Sequence, residues 1–262
     1  MRNHLAKIIL IGCLAYGCTS VKVPVQNGSE KNQFDLYILM GQSNMAGRGE
    51  LTDSLRSVYS DEVLMLTRDL NWVIAKHPIH FDKPSVAGVG PGLSFGMAMA
   101  KAYPGRKIGL IPCAVGGTSI DKWQPGEFDK ATSTYPYDDA VVRITKAMKD
   151  GQVKGMIWLQ GEADSNEKLS AAYLGKLEVL VKRIRKLTGN NRLPVVVGEL
   201  GRFKPDYKLI NKELNIAPSR IKHLGVAHSE GFTDKGDKTH FDSKSAIRYG
   251  LRFATQMQKL QQ

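Results

Sequence analysis

Short apolar runs alternate along the chain with longer segments of helical periodicity. The apolar runs are bounded by turn residues and rich in aliphatic side chains, which predicts five strands at residues 34–40, 107–113, 155–159, 194–198 and 223–227. The periodic segments predict five helices at residues 93–103, 138–149, 168–188, 207–215 and 243–260. Two shorter runs, at 62–66 and 72–74, predict short strands in the segment between the first strand and the first long helix. This alternation indicates a parallel sheet covered by helices on both faces.

The first 18 residues predict a targeting segment rather than part of this fold. Residues 8–17 form an apolar stretch after a basic start, and they are too few to span a bilayer as a mature helix. A small residue before Cys18 is typical of a bacterial lipoprotein signal. Cys13 also fits that pattern but would leave a very short apolar region, and an ordinary signal peptide is the alternative. We therefore expect a polar tether at 19–33, a domain at 34–262, and an exported protein in the periplasm or at the cell surface, lipid-anchored through Cys18.

Composition and charge narrow the possible partners. A length of 262 residues fits one α/β domain with a tail. The net charge of +12 favours anionic surfaces or polymers. The densest basic run, 182–186, lies in a predicted helix without any zinc-finger, RNP or helix-turn-helix signature, so we predict a solvated face and no nucleic-acid partner.

Cys113 is the one cysteine beyond the targeting segment; it is predicted to be a core thiol, and no disulfide framework is expected. The oligomeric state is not predictable from the sequence.

Polar motifs follow the first three long strands at the point where each strand ends. Gly-Gln-Ser-Asn-Met at 41–45 follows the first, Val-Gly-Gly-Thr-Ser at 115–119 the second, and Gln-Gly-Glu at 160–162 the third. Ligands of open parallel sheets bind at the carboxyl ends of the strands, so the three motifs are expected to meet there.

Ser43 is the central candidate, because a serine hydroxyl becomes a useful nucleophile when a base and an orienting group serve it. Asp237 and His240 lie three residues apart, so one loop could deliver both to Ser43. His240 would take the serine proton, and Asp237 would hold the imidazole tautomer. Taken alone, this short Asp-x-x-His motif is more typical of a surface turn.

Donors for a developing oxyanion can also be named. Gly116 and Gly117 offer backbone N–H groups free of side-chain obstruction, although the pair is equally typical of a tight turn. The Gln160 side-chain amide is a further candidate.

Five residues near these motifs are candidates for substrate binding or support: Gln42, Asn44, Arg48, Trp123 and Glu162. Trp123 is expected either to stack on a sugar or to anchor a long loop by packing. Arg48 is expected to meet an anionic substrate or to pair with Glu162. Glu162 and Asp164 fit structural roles, such as orienting Gln160. A glycosidase-like pair of Glu162 with Asp164 or Glu199 is the alternative, but it leaves Ser43 unexplained.

The motifs at 41–47, 115–119, 158–162 and 237–240 together resemble the four blocks of the SGNH (GDSL-type) hydrolase superfamily. The branch is that of sialate O-acetylesterases and acetylxylan esterases of carbohydrate esterase family six. The resemblance runs from about residue 34 to the C-terminus. It implies a flavodoxin-like three-layer α/β/α sandwich and a serine esterase that needs no metal or other cofactor and removes acetyl groups from sugars.

The same resemblance implies roles by position: Ser43 as nucleophile, His240 as base and Asp237 as its partner. The implied oxyanion donors are the Ser43 backbone, one glycine of the 116–117 pair, and the Gln160 side chain. The wider superfamily has Asp where this chain has Gln42, and Asn where the third block has Gln160; both departures agree with the named branch.

Two other classes of function stay open at this point. One is a non-catalytic glycan-binding lipoprotein, against which the complete set of Ser43, Asp237 and His240 argues. The other is a short-chain lipase or thioesterase of the same fold. The sugar and the position of its acetyl group are not predictable, so xylan, pectin, sialic acid and host glycans all stay candidates.

Overall fold

The computed structural model describes residues 34–262. A seven-stranded sheet forms the centre, in the order β3-β2-β4-β1-β5-β6-β7. Its strands are β1 (Phe34–Gly41), β2 (Val63–Leu66), β3 (Trp72–Ile74), β4 (Lys107–Pro112), β5 (Gly151–Leu159), β6 (Val195–Gly198) and β7 (Leu224–Ala227). All neighbouring strands are parallel except β3, which runs antiparallel to β2 at the edge. The predicted parallel sheet is therefore confirmed.

Helices cover both faces of the sheet. They are α1 (Ser43–Ala46), α2 (Asp53–Arg56), α3 (Gly92–Ala102), α4 (Pro136–Ala147), α5 (Glu167–Thr188), α6 (Tyr207–Arg220) and α7 (Ser243–Gln261). Successive side chains of a strand point to opposite faces. On β1, Leu36 and Ile38 accordingly join a core with α4, α5 and α6, whereas Tyr37 and Leu39 join a second core with α3 and α7. This is the expected three-layer α/β/α sandwich.

Two predicted boundaries differ from the structure by four or more residues. β5 begins at Gly151 rather than at residue 155, because residues 151–153 already pair with the start of β1. The exposed Gln152 and half-buried Lys154 interrupt the apolar run and hide these pairings in the sequence. Helix α6 continues to Arg220 through Pro218 rather than ending at residue 215, and its last turns bury Ala217 in the core.

The predictions for the N-terminal segment, including Cys13, Cys18 and the tether at 19–33, lie outside the described residues. Within 34–262, no helix combines the length and the apolar character that a bilayer crossing requires.

Candidate active site

Ser43 lies where the central strand β1 turns into the short helix α1. The turn depends on Gly41, whose φ of 137° is in the region that favours glycine. A side chain there would also overlap the backbone of Leu159, since a Cβ would lie 2.1 Å from the Leu159 carbonyl oxygen. The chain can therefore turn sharply at Gln42 and present Ser43 at the carboxyl edge of the sheet. Ser43 is 7% exposed.

The structure brings Ser43, His240 and Asp237 into one hydrogen-bonded chain. His240 Nε2 lies 3.0 Å from Ser43 Oγ, and His240 Nδ1 lies 2.7 Å from Asp237 Oδ2. Because a carboxylate only accepts, the Nδ1 proton faces Asp237 and the lone pair of Nε2 faces the serine hydroxyl. This arrangement allows His240 to remove the Ser43 proton.

Asp237 is stabilised as an anion by its own turn. Its Oδ1 accepts the backbone N–H groups of Thr239 and His240, at 2.9 and 2.8 Å. Burial raises the pKa of Asp237, but the hydrogen bonds from the His240 backbone, the His240 ring and the Thr239 backbone outweigh it and lower the pKa to about 2. Lys238 has a φ of 55°, so this four-residue turn holds the carboxylate against the imidazole with one residue in the left-handed region.

Asn44 connects this turn to the helix that carries the serine. Its Nδ2 donates to the Thr239 carbonyl oxygen at 3.0 Å, and its Oδ1 accepts the Phe241 N–H at 3.1 Å. The two bonds hold the backbone on either side of His240. Asn44 Nδ2 also donates to Glu162 Oε1 at 2.5 Å, and the residue is 4% exposed. Asn44 is therefore a supporting residue that positions His240 relative to Ser43.

Glu162 lies behind Asn44 with one oxygen, Oε2, that finds no hydrogen-bond partner among residues 34–262. Burial raises the pKa of its carboxyl group to about 7, although the hydrogen bond from Asn44 opposes this rise. The nearby charge of Asp164 adds to it. Glu162 is thus connected through Asn44 to the turn at 237–240, which we call the catalytic turn because it carries the candidate base His240.

The glycine pair lies beside the serine, but only part of it is available as predicted. A Cβ built on Gly116 would lie 3.4 Å from Ser43 Cβ, so the backbone here approaches Ser43 closely. The Gly116 N–H, however, donates to Asp82 Oδ2 at 2.8 Å. This contradicts an oxyanion role for the Gly116 N–H. Within 34–262, the N–H groups of Ser43 and Gly117 have no intramolecular acceptor, so these two donors stay predictions.

The predicted oxyanion role of the Gln160 side chain is also wrong. Its side chain is completely buried, and its amide nitrogen donates to Asp164 Oδ2 at 2.5 Å and to the Thr118 carbonyl oxygen at 3.0 Å. Gln42 Oε1 lies 3.3 Å from the same nitrogen. Because both amide hydrogens are directed at these acceptors, Gln160 is not placed to donate to an oxyanion. It instead ties together the loops after β1, β4 and β5.

Arg48 pairs with Asp82 rather than with Glu162. The Nη2–Oδ2 distance is 2.6 Å, and the two side chains are 4% and 2% exposed. Burial raises the pKa of Asp82, but the bonds from Arg48 and from the Gly116 N–H reverse this and hold the pKa below its ordinary value. The buried Arg48 is not free to meet a substrate, and its pair with Asp82 fixes the Gly116 loop.

Trp123 belongs to the core and does not stack on a sugar. It is 1% exposed, packs edge-to-face on Trp158 with centroids 5.3 Å apart, and donates from Nε1 to Thr118 Oγ1 at 3.2 Å. Of the two predicted roles, the loop anchor is therefore correct. Asp164 is structural too, since it also accepts the Ile120 N–H at 3.0 Å.

A cavity of about 440 Å³ lies at the carboxyl ends of β2 and β4, and none of Ser43, Asp237 and His240 lines it. Its lining includes Asp82, Val115, Arg143 and the loop at 132–134. This volume is in the range of small-molecule sites. Within 34–262, no group of three or more His, Cys, Asp or Glu side chains is placed to hold a metal ion.

Residues 33–259 match the family described as "Carbohydrate esterase, sialic acid-specific acetylesterase". The chain belongs to this family. It is accordingly a carbohydrate acetylesterase, a carboxylic ester hydrolase, and the family resemblance read from the four motifs is confirmed.

Known relatives agree with this membership. The "Probable carbohydrate esterase At4g34215" of Arabidopsis thaliana is 29% identical over 255 residues, covering 89% of this chain and 93% of the relative. The solved structure of that Arabidopsis thaliana protein has a TM-score of 0.77 at 27% identity, covering 86% of this chain and 98% of the other. NanS shares the fold, with a TM-score of 0.69 at 16% identity and coverage of 87% and 97%.

Asp82 is the site residue that the sequence analysis missed. It lies in the segment between β3 and α3, outside all four motifs, and nothing in its local sequence distinguishes it from an ordinary acidic residue in a loop. Only the fold brings it to Gly116.

Proposed function

We propose that this carbohydrate acetylesterase works as a serine esterase through an acetyl-enzyme on Ser43. The observation that supports the proposal most directly is the chain of hydrogen bonds from Ser43 through His240 to Asp237, at 3.0 and 2.7 Å. A non-catalytic glycan-binding protein would have no need for all three groups in this geometry.

In the first half-reaction, His240 Nε2 takes the Ser43 proton while Oγ attacks the acetyl carbonyl carbon. The resulting oxyanion accepts hydrogen bonds from the N–H groups of Ser43 and Gly117. The bond between the carbonyl carbon and the sugar oxygen then breaks, and His240 gives its proton to the departing sugar hydroxyl. Asp237 stabilises the imidazolium throughout.

In the second half-reaction, His240 takes a proton from water, and the hydroxide attacks the acetyl group on Ser43. The bond to Oγ breaks, acetate leaves, and the proton returns to Ser43. No step requires a metal or another cofactor.

The substrate class we propose is an O-acetylated glycan of the xylan or sialate type. The family name supports the sialate type and the relative's name a carbohydrate ester, whereas the xylan type rests on the motif resemblance alone. The test measures acetate released from short- and long-chain nitrophenyl esters, acetylated xylan and O-acetylated sialic acid. We expect the wild type to release acetate and the Ser43→Ala variant to retain the fold and lose at least about 10³-fold in kcat. Full activity of Ser43→Ala would refute the mechanism. Preference for long acyl chains would favour the lipase alternative.

We also propose that the protein is exported and anchored through a lipid on Cys18, on the basis of the sequence signal alone. Fatty-acid labelling in a bacterial host tests this. Labelling that persists in the Cys18→Ala variant would contradict the assignment of the anchor.

A further inference from the structure

A groove of about 670 Å³ lies between helix α6 and the loop that enters it from β6. We call it the α6 groove and define it by Arg202, Lys204, Lys208, Asn211 and Lys212, which line it together with the buried Glu199. Positions 208, 211 and 212 follow one another on one side of the helix. The buried side of α6 is a different one, formed by Tyr207, Ile210, Leu214 and Ala217.

The α6 groove is strongly cationic. Four cationic side chains line it, with Glu199 as the one lining acid. Arg202 is paired with Glu199 and with Glu230, so the three lysines carry the remaining charge. That carboxylate is already bonded to Asn215 Nδ2 at 2.7 Å and the Ser229 N–H at 3.0 Å, and it lies 3.6 Å from Arg202. It therefore has little capacity left to neutralise the lysines.

The three lysines of the groove are exposed, and none of them forms an ion pair with another described residue. Lys208 and Lys212 lie four positions apart on one face of α6, about 6 Å along its axis. Like charges at this spacing destabilise a helix. Helix stability therefore does not explain why Lys208 and Lys212 occur together, whereas binding of an anionic ligand would explain it.

The α6 groove begins beside the catalytic turn. Lys204 Nζ donates to Thr239 Oγ1 at 3.0 Å, and Thr239 is the residue before His240. The Phe203 ring packs on Phe241, the residue after His240, with centroids 5.2 Å apart. The lysines of the groove therefore start next to the turn that carries His240.

We infer that the α6 groove is a subsite for carboxylate groups of an anionic oligosaccharide, at sugars beyond the one that carries the acetyl ester. The inference rests on the proposed function for the location of the acetylated sugar. Flexible lysine side chains suit carboxylates that recur along a polymer, since each ammonium group is a point charge without a fixed geometry. The open groove would favour oligomers over single sugars.

The test measures binding by calorimetry at 50 mM salt. The probes are a galacturonic acid hexamer, its fully methyl-esterified form, and an oligomer of sialic acid as a second carboxylated probe. The variant is Lys208→Glu/Lys212→Glu. The matched control is Lys182→Glu/Lys186→Glu on α5, which changes the charge equally and has the same helical spacing. Both pairs are exposed, and nitrophenyl acetate hydrolysis checks that each variant keeps its catalytic centre.

We expect at least one carboxylated probe to bind about tenfold more tightly than the neutral ester, a difference of about 1.4 kcal/mol. Lys208→Glu/Lys212→Glu should remove this preference, while Lys182→Glu/Lys186→Glu changes it less than about threefold. At 0.5 M salt the preference should shrink for the wild type.

Equal binding of charged and neutral probes would overturn the subsite, as would equal losses in the two variants. Failure of the proposed function would look different: nitrophenyl acetate hydrolysis would be absent or independent of Ser43, whatever the calorimetry showed.

Discussion

Replacing Asn44 by alanine tests whether the catalytic turn depends on support from the serine side. The change removes bonds to the Thr239 carbonyl oxygen, the Phe241 N–H and Glu162. Each buried polar group left without a partner costs about 1–3 kcal/mol. Water can reach some of these groups, because Thr239 is partly exposed, so we expect a loss of about 2–4 kcal/mol in the free energy of unfolding.

The change in kcat tests the positioning role of Asn44 more directly than the loss of stability does. With the backbone on both sides of His240 released, the imidazole loses its fixed position relative to Ser43, and misplacement by about 1 Å costs on the order of 10²-fold in rate. We expect kcat for nitrophenyl acetate to fall by about that factor at 25 °C, with KM changed less than about threefold. Asn44 touches no reacting atom in this account, so the loss should be in kcat.

The control is Asn166→Ala, which removes the cap of helix α5 that accepts the Leu169 N–H at 3.0 Å. It should cost about 1 kcal/mol in urea unfolding and leave kcat unchanged. If Asn44→Ala kept wild-type kcat while folded, or lost activity only in proportion to its unfolded fraction, the positioning role would be refuted.

Three further predictions follow from the site. Asp237→Asn should lower kcat by about 10²-fold or more with an unchanged fold by circular dichroism, because the imidazole loses its anionic partner; an unchanged kcat would exclude Asp237 from the mechanism. The pKa of Glu162 is raised from 4.5 to about 7, so wild-type stability should fall as pH rises through that window, and urea unfolding of Glu162→Gln should lack this component; parallel profiles would contradict the buried carboxyl. Trp123→Ala should destabilise by about 3–5 kcal/mol in thermal or urea unfolding; a selective rise in KM would instead restore the sugar-stacking role.

The strands and helices were predictable because each one depends on the pattern of apolar residues within its own segment. Strands and helices follow from the spacing of apolar residues, and the rule that loops at the carboxyl ends of parallel strands meet was enough to bring together the motifs that hold Ser43, Gly116 and Gln160. The short spacing from Asp237 to His240 made that pair predictable as well, since a single turn contains both residues.

The partners of buried polar groups were not predictable in the same way. Arg48 bonds to Asp82, which lies 34 positions away, and Gln160 contacts Gln42 across 118 positions. Several acceptors were chemically suitable for each donor, and only the packed loops decide among them. The Trp123 side chain is buried because Trp158 meets it edge-on, a contact that composition and periodicity do not encode.

Ser43 and His240 are 197 positions apart, near opposite ends of the described chain. Ribosomes add about 5–20 residues per second, so roughly 10–40 seconds separate the synthesis of the two residues. In the proposed mechanism, Ser43 has no base until the last segment emerges and docks, and the nascent chain cannot cleave an ester. Hydrolytic activity therefore indicates that the entire domain has folded. Refolding monitored by nitrophenyl acetate turnover would measure when the turn at 237–240 docks.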